Sequence, residues 1–114
     1  RFTTALQPDE LLVAIEFPVP QKAGYAKMRN PASRYVMAGA FVAKTADGVR
    51  VAINGAGPGV FRQKAMEAAL SANWSPDAVA NIKQPADGLN SDIHGSAEYR
   101  AHLVTVMAKR AVAD

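Results

Sequence analysis

The order of apolar and polar residues divides the chain into extended segments followed by helical ones. Residues 11–17 are a short apolar run that ends at prolines, which predicts a strand. Two further extended segments are predicted, at residues 24–29 and at residues 35–44. Residues 49–54 alternate apolar and polar side chains, and the Asp47-Gly48 pair before them predicts a hairpin with the preceding run. The first half of the chain is therefore predicted to form a sheet.

Helix-forming residues dominate after a glycine-rich turn at residues 55–59. Apolar residues recur every three or four positions over residues 61–73, which predicts an amphipathic helix. Ser75-Pro76-Asp77 is an N-cap, a first-turn proline and a first-turn acid, so a second helix is predicted over residues 76–82. A third helix is predicted over residues 97–112. Its predicted apolar stripe consists of Tyr99, Leu103, Val106, Met107 and Ala111.

Strands that precede helices are typical of an α+β domain rather than a doubly wound βαβ fold. We expect an antiparallel sheet of three or four strands followed by about three helices packed on one face. The 114 residues are enough for one hydrophobic core but not for two. Residues 1–114 are therefore expected to form a single domain.

Composition and the absence of cysteine exclude several classes of protein. Hydrophobic residues make up 49% of the chain and charged residues 20%, which excludes a disordered tail. Without cysteine the chain itself cannot form disulfides, thiolate zinc sites or cysteine-ligated iron–sulfur clusters. Every apolar run is much shorter than a membrane span, which needs about 20 residues. Residues 1–4 lack a signal-peptide pattern. We expect a cytoplasmic protein without a membrane span.

The net charge of +3 is concentrated in one part of the chain. Residues 22–35 contain four basic side chains and no acidic one. These are Lys22, Lys27, Arg29 and Arg34. A basic loop of this kind suits an anionic cofactor, an acidic protein or RNA. Tyr25 and Tyr35 could stack on bases, but the glycine and aromatic signature of RNA-binding modules is missing, which disfavours nucleic acid.

The glycine-rich turn at residues 55–59 stands between a predicted strand and a predicted helix, where phosphate-binding loops occur. The dinucleotide fingerprint requires a further glycine at the position of Val60, and Pro58 removes one N–H donor. No Lys-Ser or Lys-Thr pair follows to complete a P-loop. The turn is therefore predicted to be structural.

Two histidines are the remaining candidates for chemistry. His94 is close to Asp92 and His102 is close to Glu98, but no further residues complete a metal site or a proton-transfer pair. We expect these side chains to cap, pack or face solvent. Trp74 is expected to fill space between helices rather than to bind a ligand.

Four motifs spread along the chain point to a known family. They are Thr4-Ala5-Leu6 with Asp9-Glu10-Leu11-Leu12 and Phe17-Pro18; Tyr25-Ala26-Lys27-Met28-Arg29 with Pro31-Ala32-Ser33-Arg34-Tyr35; the glycine turn with Phe61-Arg62 and Glu67-Ala68-Ala69-Leu70; and Asp92-Ile93-His94-Gly95-Ser96-Ala97-Glu98-Tyr99-Arg100 with Lys109-Arg110-Ala111. In this order and spacing the chain resembles the C-terminal domain of the FAD-binding (medium) subunit of molybdenum hydroxylases. This group includes aerobic carbon monoxide dehydrogenase and the xanthine oxidase family.

The resemblance implies an electron-transfer module that is not active alone. Its expected partners are an N-terminal FAD-binding domain, absent from this chain, and the iron–sulfur and molybdenum subunits with their 2Fe-2S clusters and molybdenum cofactor. The lysine that approaches the isoalloxazine ring in the family corresponds to Lys27, where a cation would stabilise negative charge on the reduced flavin. The alternative is a non-enzymatic module that binds an acidic protein or RNA through residues 22–35.

Overall fold

The structure, a computed structural model, describes residues 3–114, so the first two of residues 1–4, which lack a signal-peptide pattern, lie outside the described residues. Four strands precede three helices in the chain. They are β1 (Lys22–Arg29), β2 (Val36–Thr45), β3 (Gly48–Asn54), β4 (Phe61–Arg62), α1 (Lys64–Ala72), α2 (Pro76–Val79) and α3 (Ala97–Ala113). The strands lie side by side in chain order and each pair is antiparallel. The predicted α+β fold is confirmed.

The hairpin predicted at Asp47-Gly48 joins β2 to β3. Thr45 pairs with Gly48 at its end, and the Thr45 hydroxyl accepts a hydrogen bond from the Asp47 N–H and donates one to the Gly48 carbonyl. Short polar side chains satisfy turn backbone in this way without help from the rest of the fold. The local sequence is therefore sufficient to specify this turn.

The two faces of the sheet differ because successive side chains of a strand point to opposite sides. One face, the core face, carries fully buried apolar side chains that include Ala40 and Val42 of β2 and Val51 and Ile53 of β3. Helices α1 and α3 pack on this face and contribute Met66, Leu70, Val104 and Met107 to the same core. The opposite face, the open face, has no helix against it in residues 3–114.

Gly24 allows α3 to lie close to β1. A Cβ atom at this position would collide with the carbonyl oxygen of Ala111, which belongs to the backbone of α3. The helix backbone cannot move aside without disturbing the buried side chains of the same helix, such as Met107 and Ala108. The absence of a side chain at Gly24 therefore sets the distance between α3 and the edge of the sheet.

The prediction of a strand at residues 11–17 is wrong. These residues join no strand, and residues 3–20, which we call the arm, run outside the sheet. The arm exposes Leu11, Leu12, Val13, Ile15, Phe17 and Val19, each at 60–87%. Pro18 and Pro20 lack the N–H that a ladder requires, and regular strand pairing begins at β1. The arm enlarges the radius of gyration to 15.0 Å, against about 13 Å for a compact chain of this length.

Two predicted helices begin or end at different residues in the structure. Phe61 and Arg62 pair with Ile53 and Ala52 as β4, so the helix predicted from residue 61 begins at Lys64, capped by the Gln63 side chain. The helix predicted over residues 76–82 is the single turn α2, whose cap is Ser75 as expected. A periodic apolar pattern does not reveal that its first residues complete a neighbouring sheet.

The apolar stripe predicted for α3 is partly wrong. Leu103, Met107 and Ala111 are buried, but Tyr99 is 44% exposed and Arg100 is buried in its place. The buried face of α3 therefore includes Arg100 instead of Tyr99. A buried arginine is tolerated at this position because the Met37 carbonyl and the Asp92 carboxylate accept its hydrogen bonds.

Candidate functional site

The open face of the sheet carries the residues that the sequence and the family resemblance single out. By strand alternation and register, Tyr25 and Lys27 of β1 lie on this face beside Gly39 and Phe41 of β2. Asn54 of β3 completes the group, because it pairs with Gly39 on the other side of β2. Tyr25 and Phe41 remain 39% and 45% exposed, so this face has not been covered by the chain's own helices.

Lys27 is a half-buried cation that forms no ion pair with the described part of the chain. Its backbone pairs with Gly39, which has no side chain, and Asn54 follows in the same row. In residues 3–114, ion pairs involve Arg62, Lys64 and Arg100, and none involves Lys27. Its positive charge is therefore available to a group from outside this chain.

Tyr25 and Asn54 form a polar pair next to Lys27. The Tyr25 hydroxyl lies 3.5 Å from Asn54 Oδ1, to which it can donate, and 3.3 Å from Asn54 Nδ2, which can donate to it. The pair leans over Gly39, where a Cβ would lie 2.9 Å from the Tyr25 hydroxyl and would collide with Asn54 Oδ1. Glycine at position 39 is therefore required for this arrangement.

A hollow of about 530 Å³ opens beside this pair. It is lined by Tyr25, Phe41, Ala52 and Asn54, and the two aromatic ring centres lie 6.5 Å apart at an angle of 42°. Aromatic walls with one amide at the side suit a flat ring that also forms hydrogen bonds. Lys27 lies at the same end of the open face as this hollow.

The basic loop after β1 is closed by its own backbone. The Asn30 N–H donates to the Tyr35 carbonyl and the Arg34 N–H donates to the Asn30 carbonyl, each at 2.8 Å. Arg34 has a φ of 60°, a left-handed conformation that is unfavourable for a side chain of this size. Arg29, Arg34 and Tyr35 are exposed. The end of β1 and the loop after it thus place two cations and an aromatic ring in solvent, on the strand that carries Lys27 and just beyond it.

The glycine turn at residues 55–59 has a structural role, as predicted. It is followed in the chain by β4 rather than by a helix, so it is not the strand-to-helix loop of a phosphate-binding motif. The side chain of Asn90 donates to the carbonyls of Gly55 and Gly57 at 3.3 and 2.9 Å, and the Asn90 N–H donates to the carbonyl of Ala56. The turn therefore presents carbonyl oxygens to its neighbours and is fixed by them, which does not suit a phosphate.

The histidines are not brought together. The backbone N–H of His94 donates to the Asp92 carboxylate at 2.9 Å. His102 lines a separate cleft beside Glu98 on α3. Within residues 3–114, no group of three or more histidines and carboxylates is placed to hold a metal ion. Trp74 is half-buried against the core, as expected for a residue that fills space between elements.

Arg100 is the most important residue that the residue patterns missed. Its guanidinium donates to the Met37 carbonyl at 2.9 Å and to both carboxylate oxygens of Asp92 at 2.9 and 3.0 Å. The His94 N–H and, to a smaller extent, Arg100 hold the pKa of Asp92 below its ordinary value of 3.8. Arg100 therefore joins α3 to β2 and to the loop at residue 92 from inside the fold.

Glu67 is a second buried charge that the patterns missed. Its carboxylate accepts hydrogen bonds from the Arg62 side chain, at 2.8 Å to each oxygen, and from the Val51 N–H at 3.1 Å. These contacts, led by Arg62, hold the pKa of Glu67 below its ordinary value of 4.5. Glu67 therefore joins α1 to β3 and β4 at the edge of the sheet. The available sequence signal was the opposite charge of Arg62, five positions before Glu67.

Comparison with known proteins decides the family. Residues 25–114 match the family described as CO dehydrogenase flavoprotein C-terminal domain. The chain belongs to this family. The match covers every strand except the first residues of β1, together with all three helices, so the structural elements described above are those of the family domain. The resemblance stated from the sequence is confirmed.

Relatives of this CO dehydrogenase flavoprotein domain extend the match to the arm. The chain is 34% identical to the nicotine 6-hydroxylase medium subunit of Paenarthrobacter nicotinovorans and 32% identical to the carbon monoxide dehydrogenase medium chain of Afipia carboxidovorans. These alignments cover 99% and 97% of the chain but 44% and 43% of the relatives. The chain thus spans less than half the length of these relatives.

Solved structures agree with this assignment. The reconstituted CO dehydrogenase from Oligotropha carboxidovorans superposes with a TM-score of 0.77 at 26% identity, over 98% of this chain and 43% of the other. A cyanide-inactivated form of the Cu,Mo-CO dehydrogenase superposes with a TM-score of 0.71 over the same shares. These relatives favour the flavoprotein interpretation over a non-enzymatic module that binds an acidic protein or RNA.

Proposed function

We propose that this chain is the C-terminal part of the FAD-binding subunit of a molybdenum-containing hydroxylase. Its role is to help position FAD for electron transfer from iron–sulfur clusters to an external acceptor. The observation that carries the proposal is Lys27 on the open face of a CO dehydrogenase flavoprotein domain, a half-buried cation that forms no ion pair within residues 3–114. The whole enzyme is assigned to the assembled subunits, and we do not expect this chain to be active alone.

The residues around Lys27 fit one edge of a flavin. The isoalloxazine ring is flat and apolar over much of its surface, and its pyrimidine edge carries carbonyl oxygens and ring nitrogens. An ammonium, a hydroxyl and an amide beside two aromatic rings provide the complementary groups. Bound FAD would supply the redox chemistry, accepting and passing on electrons. The ammonium of Lys27 would stabilise negative charge on the reduced ring.

The arm and the open face support a second part of the proposal, that an N-terminal FAD-binding domain covers them. The family match begins at residue 25, whereas the relatives align along nearly the whole chain, so the arm is shared with proteins more than twice as long. Phe17, Pro18 and Pro20 of the arm line a hollow on the open face together with Phe41. A domain that buries the apolar arm would therefore also reach the open face.

Contacts with the iron–sulfur and molybdenum subunits are assigned to surfaces outside the core. The side chains of Arg29, at the end of β1, and of Arg34 and Tyr35, in the following loop, are exposed, and backbone hydrogen bonds close that loop. Exposed arginine and tyrosine side chains on a rigid loop are typical of protein contacts. In this arrangement the molybdenum cofactor and 2Fe-2S clusters belong to those subunits.

Within residues 3–114, no helix has the length and apolar character to cross a membrane.

The experiment compares Lys27→Met with Lys22→Met in the complete medium subunit, purified with its partner subunits. Both lysines are on β1, but Lys22 lines a hollow beside the end of α3 on the other side of the sheet. The bound flavin is quantified from the visible spectrum and its reduction potential is measured. We expect Lys27→Met alone to lower the potential or weaken FAD binding. Unchanged flavin in Lys27→Met would refute the role of Lys27, and a folded medium subunit without flavin would refute the function.

A further inference from the structure

Tyr25 and Asn54 have hydrogen-bonding capacity that the fold does not use. Their two contacts, at 3.5 and 3.3 Å, are long compared with about 2.8 Å for a strong hydroxyl hydrogen bond. With both contacts made, one Asn54 N–H and the second lone pair of Asn54 Oδ1 remain available. No other hydrogen bond involves either side chain among the contacts of residues 3–114.

The pair occupies a defined position relative to Lys27. Lys27, Gly39 and Asn54 form one row across three strands, so the two ends of the row lie roughly 10 Å apart, which is two strand spacings. Gly39 in the middle contributes no side chain, and the Tyr25 and Asn54 oxygens occupy the place of its missing Cβ. A cation and a hydroxyl–amide pair therefore face outwards together across a glycine.

We propose that Tyr25 and Asn54 form a second contact with the flavin ring edge, beside Lys27, and that Gly39 keeps this contact open. The proposal rests on the proposed function, because it assumes that FAD reaches the open face. The pyrimidine edge of isoalloxazine alternates carbonyl acceptors with an N–H donor. A side-chain amide has the same alternation in reverse, so Asn54 can pair with an acceptor and a donor at once. Lys27 supplies charge, and the pair supplies orientation.

A purely structural role for the pair makes a different prediction. In that case the contact between Tyr25 and Asn54 would only brace β1 against β3 across β2. Removing the hydroxyl would then lower the thermal stability slightly and leave the flavin unaffected. The decisive readouts are therefore the dissociation constant and the reduction potential of FAD rather than enzyme activity.

The test uses the medium subunit with its partner subunits, from which FAD is removed and then titrated back. We expect Tyr25→Phe and Asn54→Leu each to weaken FAD binding about fivefold to tenfold, the effect of one lost hydrogen bond. Gly39→Ala retains both side chains but displaces them, and is expected to weaken FAD binding to a similar degree. The matched control is Tyr99→Phe, which removes the hydroxyl of a tyrosine of similar exposure on α3.

The variants separate this inference from the proposed function. If Lys27→Met alters the flavin while Tyr25→Phe and Asn54→Leu leave its dissociation constant and potential unchanged, the inference is overturned and the proposed function stands. If all three variants leave the flavin unchanged, the inference and the role of Lys27 are overturned, whereas the proposed function itself is overturned by a folded medium subunit without flavin. Tyr25→Phe preserves the ring that contacts Phe41, so it is the variant that decides if Asn54→Leu or Gly39→Ala fails to fold.

Discussion

The two faces of the sheet carry different kinds of residue, although they belong to the same three long strands. The core face has small and branched apolar side chains such as Ala40, Val51 and Ile53, all fully buried by helices. The open face has Tyr25, Lys27 and other larger or polar side chains without a helix of residues 3–114 against them. This difference indicates that the core face determines stability, whereas the open face is available for function.

The largest effect is expected from substitution on the core face. Ile53→Ala removes a fully buried side chain from β3 and leaves a cavity between the sheet and the helices. It is expected to lower the free energy of unfolding by about 2–5 kcal/mol, measured by urea unfolding of the 114-residue chain. Phe41→Ala, on the open face, is expected to cost about 1 kcal/mol or less. Equal losses for the two variants would invalidate the contrast between the faces.

A smaller loss is expected at the polar contact that joins α3 to the sheet. Arg100→Met is similar in length and apolar, but it leaves the buried Met37 carbonyl without its donor. The expected decrease in the free energy of unfolding is about 1–3 kcal/mol, the cost of an unsatisfied buried acceptor. Thermal unfolding followed by circular dichroism measures it. An Arg100→Met variant as stable as the wild type would show that Arg100 is dispensable inside the fold.

The pH dependence of stability isolates Glu67 at the edge of the sheet. The contacts with Arg62 and Val51 lower its pKa in the folded state below the ordinary 4.5. Because the ionised form is favoured by folding, its contribution is complete above about pH 4.5 and is lost as the pH falls through the lowered folded pKa. The stability difference between wild type and Glu67→Gln should therefore decrease on acidification in urea unfolding series. A difference that grows below about pH 4.5 would contradict this explanation.

The smallest effect on stability is expected at Lys27. Lys27→Met removes no ion pair within residues 3–114, so the free energy of unfolding of the chain is expected to change by about 0.5 kcal/mol or less. The same variant is expected to alter the flavin in the complete medium subunit. A large loss of stability on urea unfolding would show that Lys27 stabilises the fold, and would contradict the proposed division between a stabilising core face and a functional open face.

Local patterns were sufficient for the elements that close on themselves. The hairpin at Asp47-Gly48 and the cap at Ser75 depend on neighbouring residues, and both are correct. The apolar run at residues 11–17 has the pattern of a buried strand, but the pattern does not specify which surface buries it. Within residues 3–114 no partner strand pairs with the run, so the strand prediction was wrong.

Residues whose environment comes from distant parts of the chain could not be predicted from spacing. Arg100 of α3 is buried because Met37 of β2, 63 positions away, and Asp92 of the preceding loop, 8 positions away, accept its hydrogen bonds. Lys27 was singled out by family resemblance, while its lack of an acidic partner within residues 3–114 and its place beside Tyr25 and Asn54 emerge only from the register of the sheet. Its contact with FAD stays a prediction.

The most direct test of a functional open face is amine labelling of lysines in the medium subunit, with and without FAD. Lys22 and Lys27 lie on the same strand but on different faces, so each molecule contains its own control. The extent of labelling at each lysine is measured by mass spectrometry of peptides. Protection of Lys27 by FAD, with Lys22 unchanged, is the result expected here. Equal labelling of Lys27 in the presence and absence of FAD would contradict the assignment of the open face to the flavin.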